Sequence, residues 1–308
     1  MALENSGYFQ QVQLLVRLLP YISEEKEFAL KGGTAINLFV RNMPRLSVDI
    51  DLVYLPLKTR VETLSNISQA LLRIEQRICR DIPSARVDSL PLRDSLQHCV
   101  KKVVYAQNAQ VKIEVSPVIR GTVHPCRILE MSAAAKEQFG FVSMQVVSFA
   151  DLYAGKICAA LHRQNPRDLF DIDLLLKNEG IDEKTWGAFL VYLISDDRPI
   201  AELLAPKQLP LRPTAIMEFQ KMTAYPVSAH MLEQARQNLV LEMHGHITDE
   251  QKQFLISFKK GDPQWEFLKV PGVKDMPAVR WKLENLSRMP KDKHQIALRK
   301  LMELLYPQ

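Results

Sequence analysis

The sequence predicts an α+β protein, with a mixed sheet and its helices in the N-terminal part followed by an all-helical C-terminal domain. Three observations carry that expectation. Apolar residues recur with a period of two at 48–52 and again at 103–115, interleaved with stripes of helical period. From Gln145-Val146-Val147 onward helical spacing takes over almost throughout, which places the domains at 1–147 and 148–308. The 308 residues, 47% hydrophobic and 24% charged, suffice for two domains with a large core and exclude a mostly disordered chain.

Taken in order, Phe9, Val12, Leu15, Val16 and Leu19 form one stripe of a packing helix that Pro20 is expected to end. Glu27 to Leu30 reads as a short strand entering the turn Lys31-Gly32-Gly33-Thr34, from which Thr34 caps a helix carrying Ile36, Leu38 and Phe39. Val48-Asp49-Ile50-Asp51-Leu52 reads as a strand with its acids on one face and its aliphatics on the other. Leu64, Ile67, Leu71, Ile74 and Ile78 mark a helix over 61–82, closed by Pro83. Val103-Val104-Tyr105 and Val111-Lys112-Ile113-Glu114-Val115 flank a turn centred on Asn108, a hairpin whose second strand turns Lys112 and Glu114 away from its aliphatics.

A helix over 151–163 follows, with Lys156 and Arg163 seven apart and so near one face; Asn165-Pro166 breaks it before a second helix begins at Arg167. Arg167 and Asp171 then lie one turn apart. Further helices are expected at 184–194, 213–222, 228–242, 249–258, 276–288 and 293–305, with the Pro-rich span 199–213 as a connector.

Several function classes drop out. Cys79, Cys99, Cys126 and Cys158 show no C-x-x-C spacing, so neither a zinc site nor a disulfide framework is indicated and buried thiols are expected. His244-x-His246 is the one histidine pair with ligand-like spacing, and it reads as a polar helix end. No apolar run approaches the roughly 18–20 residues needed to span a bilayer, and the first nine residues lack a basic region followed by an apolar core, so no membrane role and a cytoplasmic location are expected. A net charge of +5 permits an anionic partner without demanding one.

Asp49 and Asp51 on one strand face repel each other, an arrangement that suggests a divalent cation between them. Glu114 is a third acid able to face the same site. Gly32 and Gly33 would let the backbone approach a triphosphate, with N–H groups at the start of the following helix directed at it, and Ser47 could add a hydroxyl donor. Lys156 and Arg163 would clamp phosphate charge. Taken singly, each is bland: Gly-Gly is a turn, Asp-x-Asp a solvated edge, Lys156 a surface residue, and Arg167 with Asp171 an exposed intrahelical pair. Lys252, Lys259, Lys260, Lys282, Arg288, Lys291, Lys293, Arg299 and Lys300 crowd the C-terminal end, either as an RNA-binding face or as a solvated one balanced by acids.

Together, Gly-Gly, Asp-x-Asp and a later strand with a third acid resemble the nucleotidyltransferase signature of the DNA polymerase β superfamily. Lys31-Gly32-Gly33-Thr34-Ala35 with Leu46-Ser47-Val48-Asp49-Ile50-Asp51-Leu52, then Asp151-Leu152-Tyr153-Ala154-Gly155-Lys156, then Arg167-Asp168-Leu169-Phe170-Asp171-Ile172, resemble the four motifs of the AbiEii/AbiGii toxin family in their order. The likeness continues through Ile194-Ser195-Asp196-Asp197-Arg198-Pro199 and Pro277-Ala278-Val279-Arg280-Trp281, so it covers most of the chain.

The resemblance implies a polymerase β-like nucleotidyltransferase sheet domain and a helical domain closing an active-site cleft. It also implies a toxin of a toxin–antitoxin or abortive-infection system, acting in phage defence and paired with a DNA-binding antitoxin encoded nearby. The implied reaction moves a nucleoside monophosphate from an NTP to an RNA 3′ end, with tRNA as the expected acceptor and Mg2+, or Mn2+, as the ion. Alternatives are transfer to a small-molecule or protein hydroxyl, and a catalytically silent NTP-sensing module. By position, Asp49, Asp51 and Glu114 would hold metal, with Glu114 helping to deprotonate the hydroxyl. Gly32, Gly33, Thr34, Ser47, Lys156, Arg167 and Asp171 would bind nucleotide, and Asp168 is preferred to Asp171 as the essential acid. One departure from the superfamily pattern is the fifteen residues separating Gly-Gly from Asp49, which implies a differently shaped phosphate turn.

Overall fold

A computed structural model describes residues 6–92 and 95–307 of the chain; the first five residues, part of the stretch expected to lack a leader, lie outside them. The chain falls into two units, one of residues 1–148 with 217–226 and the other of 149–216 with 227–308. The first unit begins with α1 (Gly7–Ser23), β1 (Phe28–Lys31), the single turn α2 (Gly32–Thr34) and a π-helical segment, Ala35–Val40. After them come β2 (Asp49–Tyr54), α3 (Arg60–Asp81), β3 (Arg86–Leu92), β4 (Ser95–Ala106), β5 (Ala109–Arg120), β6 (Arg127–Glu130), α4 (Ala133–Phe139) and β7 (Ser143–Val146).

The seven strands form one mixed sheet in the order β3-β4-β5-β2-β1-β7-β6. Its centre is parallel where β2 pairs with β5 and antiparallel where β2 pairs with β1. The period of two has the expected consequence. Ile50 and Leu52 on β2 and Val111, Ile113 and Val115 on β5 are fully buried, each contributing about 1.5–3 kcal/mol of apolar burial, while Asp49, Asp51, Lys112 and Glu114 stay partly accessible on the other face. Helices α1 and α3 pack on the sheet and on each other. The start of α3 is fixed by a capping box between Thr59 and Glu62.

Several expectations need correction. Pro20 does not end α1: it sits in the last turn, where its missing N–H costs one hydrogen bond, and the helix runs to Ser23. Thr34 is not a cap, because Lys31 precedes the turn without a side-chain bond and Thr34 lies inside it. Strands β3 and β6 fall where no element was expected.

After residue 148, α5 (Phe149–Arg163) and α6 (Pro166–Asn178) are followed by α7 (Glu183–Ser195), α8 (Ile200–Leu204), α9 (Pro213–Gln220), α10 (Ala229–His246), α11 (Asp249–Lys260), α12 (Pro277–Ser287) and α13 (Lys291–Leu305). Helix α8 occupies part of the span expected to be a bare connector. Residues 217–226 group with the first unit, where Leu46 N donates to Met222 O at 2.7 Å and Arg45 bridges to Thr223. The corner between α5 and α6 is made by Gln164 at φ 51° and by Asn165, whose side chain accepts from Arg167 N at 3.1 Å. Gln164 also binds outward, donating to Lys207 O and accepting from Leu209 N and from Arg236. Among the described residues no helix is long and apolar enough to cross a membrane.

Glu25, just beyond α1, is buried and is held by two arginines of α3: Arg73 at 2.5 and 3.0 Å and Arg77 at 2.5 Å. Burial alone would raise its pKa, but the hydrogen bonds and charges of Arg73 and Arg77 outweigh it and hold the carboxyl below its ordinary value. A lowered folded-state pKa means stability that is present above the ordinary carboxylate range and lost as pH falls through the folded value. Glu25→Gln is therefore expected to destabilise by about 1–3 kcal/mol at pH 7. In urea denaturation series the gap to wild type should close as pH falls below the lowered value.

Candidate active site

The first unit gathers its motif residues around the end of β1. Gly32 has φ +73°, a left-handed backbone, and a Cβ there would lie 2.6 Å from Asp51 Oδ2. Glycine is thus demanded twice, by the backbone and by the carboxylate packed against it. At Gly33 a Cβ would lie 2.8 Å from an Arg45 guanidinium nitrogen and 2.9 Å from Ser47 Oγ. The glycine pair is therefore seated on Asp51 and Ser47, both picked out by sequence, and on Arg45, which was not. Arg45 is almost completely buried and donates to Leu46 O at 2.9 Å. No periodicity or motif could have shown a buried arginine in that loop.

Thr34 serves the scaffold. Its hydroxyl donates to Asp49 O at 2.6 Å and lies 3.1 Å from Ser47 Oγ, so the turn after β1 is tied to the start of β2. Asn37, fully buried, donates to Gly33 O at 2.9 Å. The helix then widens to the π form, with Arg41 N bonding to Ile36 O at 2.7 Å, a distortion frequent near functional sites.

Parallel pairing of β2 with β5 sets Asp51 opposite Glu114 and Asp49 opposite Lys112. Glu114 is held on both sides, by Lys101 at 3.2 Å and by Lys112 at 3.3 Å, and Lys112 also lies 3.8 Å from Asp49. Partial burial would raise the Glu114 pKa, but the two lysines hold it below the ordinary value. The Lys112 ammonium is raised despite its own burial, because Asp49, Glu114 and Asp51 surround it. Lys112 is the group on this face that sequence reasoning noted without assigning it to the site, since the same alternation that aims Glu114 aims Lys112. The carboxylates of Asp49, Asp51 and Glu114 are hard oxygen donors suited to Mg2+ or Mn2+, and the missing Cβ of Gly32 leaves Asp51 Oδ2 uncrowded. The donor set fits such an ion.

The second unit holds the other motif residues together. Lys156 on α5 is 6% exposed and makes ion pairs to Asp168 Oδ1 at 3.0 Å and Asp171 Oδ2 at 2.9 Å, Asp171 being 0% exposed. Arg163 reaches the same Asp168 at 3.0 Å with its own side chain in solvent. Asp168 lies in the first turn of α6, where the helix dipole favours an anion. The default readings of Lys156 as a surface residue and of Asp171 as half of an exposed pair with Arg167 are corrected: Asp171 faces inward to Lys156. Arg167 is partly buried one residue before Asp168. Asp151, which opens the Lys156 motif, is buried and accepts from Tyr192 OH at 3.3 Å.

Other sequence features resolve differently. His244 and His246 bond to the backbone oxygens of Leu204, Glu242 and Ile181, as a polar helix end does. Cys79 is exposed, against the expectation of buried thiols, while burial pushes the Cys158 thiol well above its ordinary range. The C-terminal basic run is not one face. Lys259 and Lys282 are withdrawn from solvent, with burial lowering both ammonium groups, and Lys282 donates to the carbonyls of Asp196 and Arg198. Lys252 and Arg288 are paired with Asp249 and Glu284. Among the described residues, three His, Cys, Asp or Glu ligand atoms come within 4.8 Å of one another only at His162 of α5 with Asp196 and Asp197 after α7. Asp49, Asp51 and Glu114 share a face without converging that closely.

A family model described as nucleotidyl transferase AbiEii toxin, type IV TA system, matches residues 13–285. Among solved structures the chain is similar to MenT4, a nucleotidyltransferase toxin from Mycobacterium tuberculosis H37Rv. The TM-score is 0.61 at 14% identity, over 98% of this chain and 95% of that one, a likeness of fold. Comparison with curated proteins gives no match.

Two outcomes follow from the packing. Gly32→Ala should fold with about 1–2 kcal/mol of backbone strain and lose at least about tenfold in nucleotidyl transfer because Asp51 is displaced, as thermal melts and initial rates will show. Asp171→Asn should destabilise the protein by about 2–3 kcal/mol and Asp168→Asn by less. The difference is expected because Asp171 is wholly buried, whereas Asp168 keeps some exposure in the first turn of α6; equilibrium denaturation measures both.

Proposed function

We propose, from the premise that the chain belongs to the AbiEii nucleotidyl transferase toxin family of type IV toxin–antitoxin systems, that it transfers a nucleoside monophosphate from an NTP to the 3′ end of an RNA, with tRNA as acceptor. The family makes it a nucleotidyltransferase that consumes NTP and has an antitoxin counterpart. The observation that carries the finer reading is the acidic face of β2 and β5, where Asp49, Asp51 and Glu114 stand together beside a glycine that only its lack of Cβ admits. A divalent ion, Mg2+ or Mn2+, held by these carboxylates would neutralise charge on the triphosphate and activate the attacking hydroxyl.

The residues divide the remaining work. The turn at Gly32 and Gly33 allows close approach of phosphate to the backbone, and Ser47 contributes its hydroxyl. Glu114 is assigned to complete the ion-binding face and to help deprotonate the attacking hydroxyl, with Lys101 and Lys112 keeping its carboxyl below the ordinary value before substrate arrives. Lys156 is assigned to phosphate, and its buried pairing with Asp168 and Asp171 fixes the position of the ammonium before substrate arrives. Asp168 and Arg167 are assigned to the nucleotide. In the cell the protein would act as a toxin in phage defence, opposed by a DNA-binding antitoxin encoded beside it.

The test is incubation of purified protein with each labelled NTP, Mg2+ and total tRNA. Label is expected on RNA with release of pyrophosphate, and Asp49→Asn should slow it at least about 100-fold without altering the melting temperature. Label on a small molecule or on protein would move the acceptor to that class, and NTP binding without pyrophosphate release would leave only a sensing module.

A further inference from the structure

The acidic face carries cations of its own. Lys112 Nζ lies 3.3 Å from Glu114 Oε2 and 3.8 Å from Asp49 Oδ1, and Lys101 holds the other oxygen of Glu114 at 3.2 Å. The ladder makes this unavoidable: Lys112 is the register partner of Asp49, and Lys101 of Glu114. The three carboxylates are met by the two ammonium groups paired to them and by Lys31, the register partner of Asp51, so the face carries little net charge. Such a face attracts a free divalent cation weakly, because the ion must settle beside an ammonium or displace it. Lys112 can be displaced. Its side chain is 36% exposed, and an ammonium on a four-carbon stem turns readily toward another anion. A triphosphate is such an anion, and it brings more negative charge than the face loses when the lysine leaves.

We propose that Lys112 is a tethered counter-ion of this face: without NTP it holds the position between Asp49 and Glu114, and it passes to the triphosphate when NTP arrives. Divalent ion and NTP therefore load together, and neither is held firmly alone. This rests on the assignment of Asp49, Asp51 and Glu114 as the ion-binding face. Lys112 is then a positioning residue with opposite effects on the two ligands, since removing its charge strengthens ion binding and weakens nucleotide binding. A lysine that only supported the sheet would weaken both.

Mn2+ binding measured by calorimetry and electron paramagnetic resonance, first without nucleotide and then with a non-hydrolysable NTP analogue, tests the idea. The variants are Lys112→Met, Lys112→Gln as its polar counterpart, Lys101→Met and Asp49→Asn, each checked by thermal melting. Both Lys112 variants should bind Mn2+ about tenfold or more tightly than wild type without nucleotide. They should bind the analogue more weakly, and should lose most of the gain in Mn2+ affinity that the analogue confers on wild type. Lys101→Met, which frees Glu114 alone, should show a smaller gain. If Asp49→Asn abolishes Mn2+ binding while the Lys112 variants match wild type or bind more weakly, the counter-ion role is overturned and the ion site stands. If Mn2+ binding is absent or indifferent to Asp49→Asn, the ion-site assignment falls and the counter-ion role with it.

Discussion

The parallel pairing of β2 with β5 is the constraint on which the candidate site depends. Five aliphatic side chains, Ile50, Leu52, Val111, Ile113 and Val115, are buried completely on one face of these two strands. Slipping either strand by one residue would bring its charged residues into the core and put its aliphatics in water. That penalty is many kcal/mol, far more than the repulsion among Asp49, Asp51 and Glu114 on the accessible face. Core burial therefore fixes the acids in place, and the acids need not be stable together on their own account. The turn after β1 exploits the result, with Gly32 fitted against Asp51 and the Thr34 hydroxyl tied to the backbone of Asp49.

In the second unit position is fixed by a different means. Lys156, Asp168 and Asp171 are nearly or wholly out of water, and an ion pair taken out of water seldom adds net stability over an apolar replacement. What it adds is location. Each carboxylate contributes one oxygen to the same ammonium, Asp168 is steadied by the N-terminal turn of α6, and the corner at Gln164 and Asn165 sets α6 against α5. Moving Lys156 would strand two buried charges, so the ammonium stays at one place.

Much of this was legible in the sequence, for identifiable reasons. Period-two alternation gave β2 and the hairpin of β4 and β5, and with them the facing of Asp49, Asp51 and Glu114. Helical stripes and the Asn165-Pro166 signal gave α3, α5 and α6. What stayed hidden depends on distant partners. Strand β6 exists because β7 pairs with it, and its own four residues, Arg127–Glu130, carry little apolar pattern. The burial of Arg45, Lys156 and Asp171 follows from what packs over them, which local spacing does not encode. Lys259 and Lys282 show the same blindness in reverse, counted as surface charge when the fold buries Lys259 and ties the half-buried Lys282 to backbone carbonyls. Pro20 misled because a proline signal marks a lost hydrogen bond, and one lost bond in a last turn does not end a helix already packed through Leu18, Leu19 and Ile22.

The two units share one electrostatic property. Lys156 and Arg163 stand against Asp168 and Asp171, and Lys101 and Lys112 against Asp49, Asp51 and Glu114, so each unit nearly balances its own site charges without any ligand. The balance lets groups that would repel each other, or resist desolvation, be held ready in a folded chain. It also limits how strongly a single small ion can bind, because an ion that reaches Asp49 or Glu114 must disturb an existing pair. A ligand that carries both signs, a polyanion with its divalent ion, can replace those pairs with equivalent ones and leaves none of the groups uncompensated. If Asp49, Asp51 and Glu114 form the ion-binding face as proposed, such a face would select the ion–triphosphate combination over either component by itself.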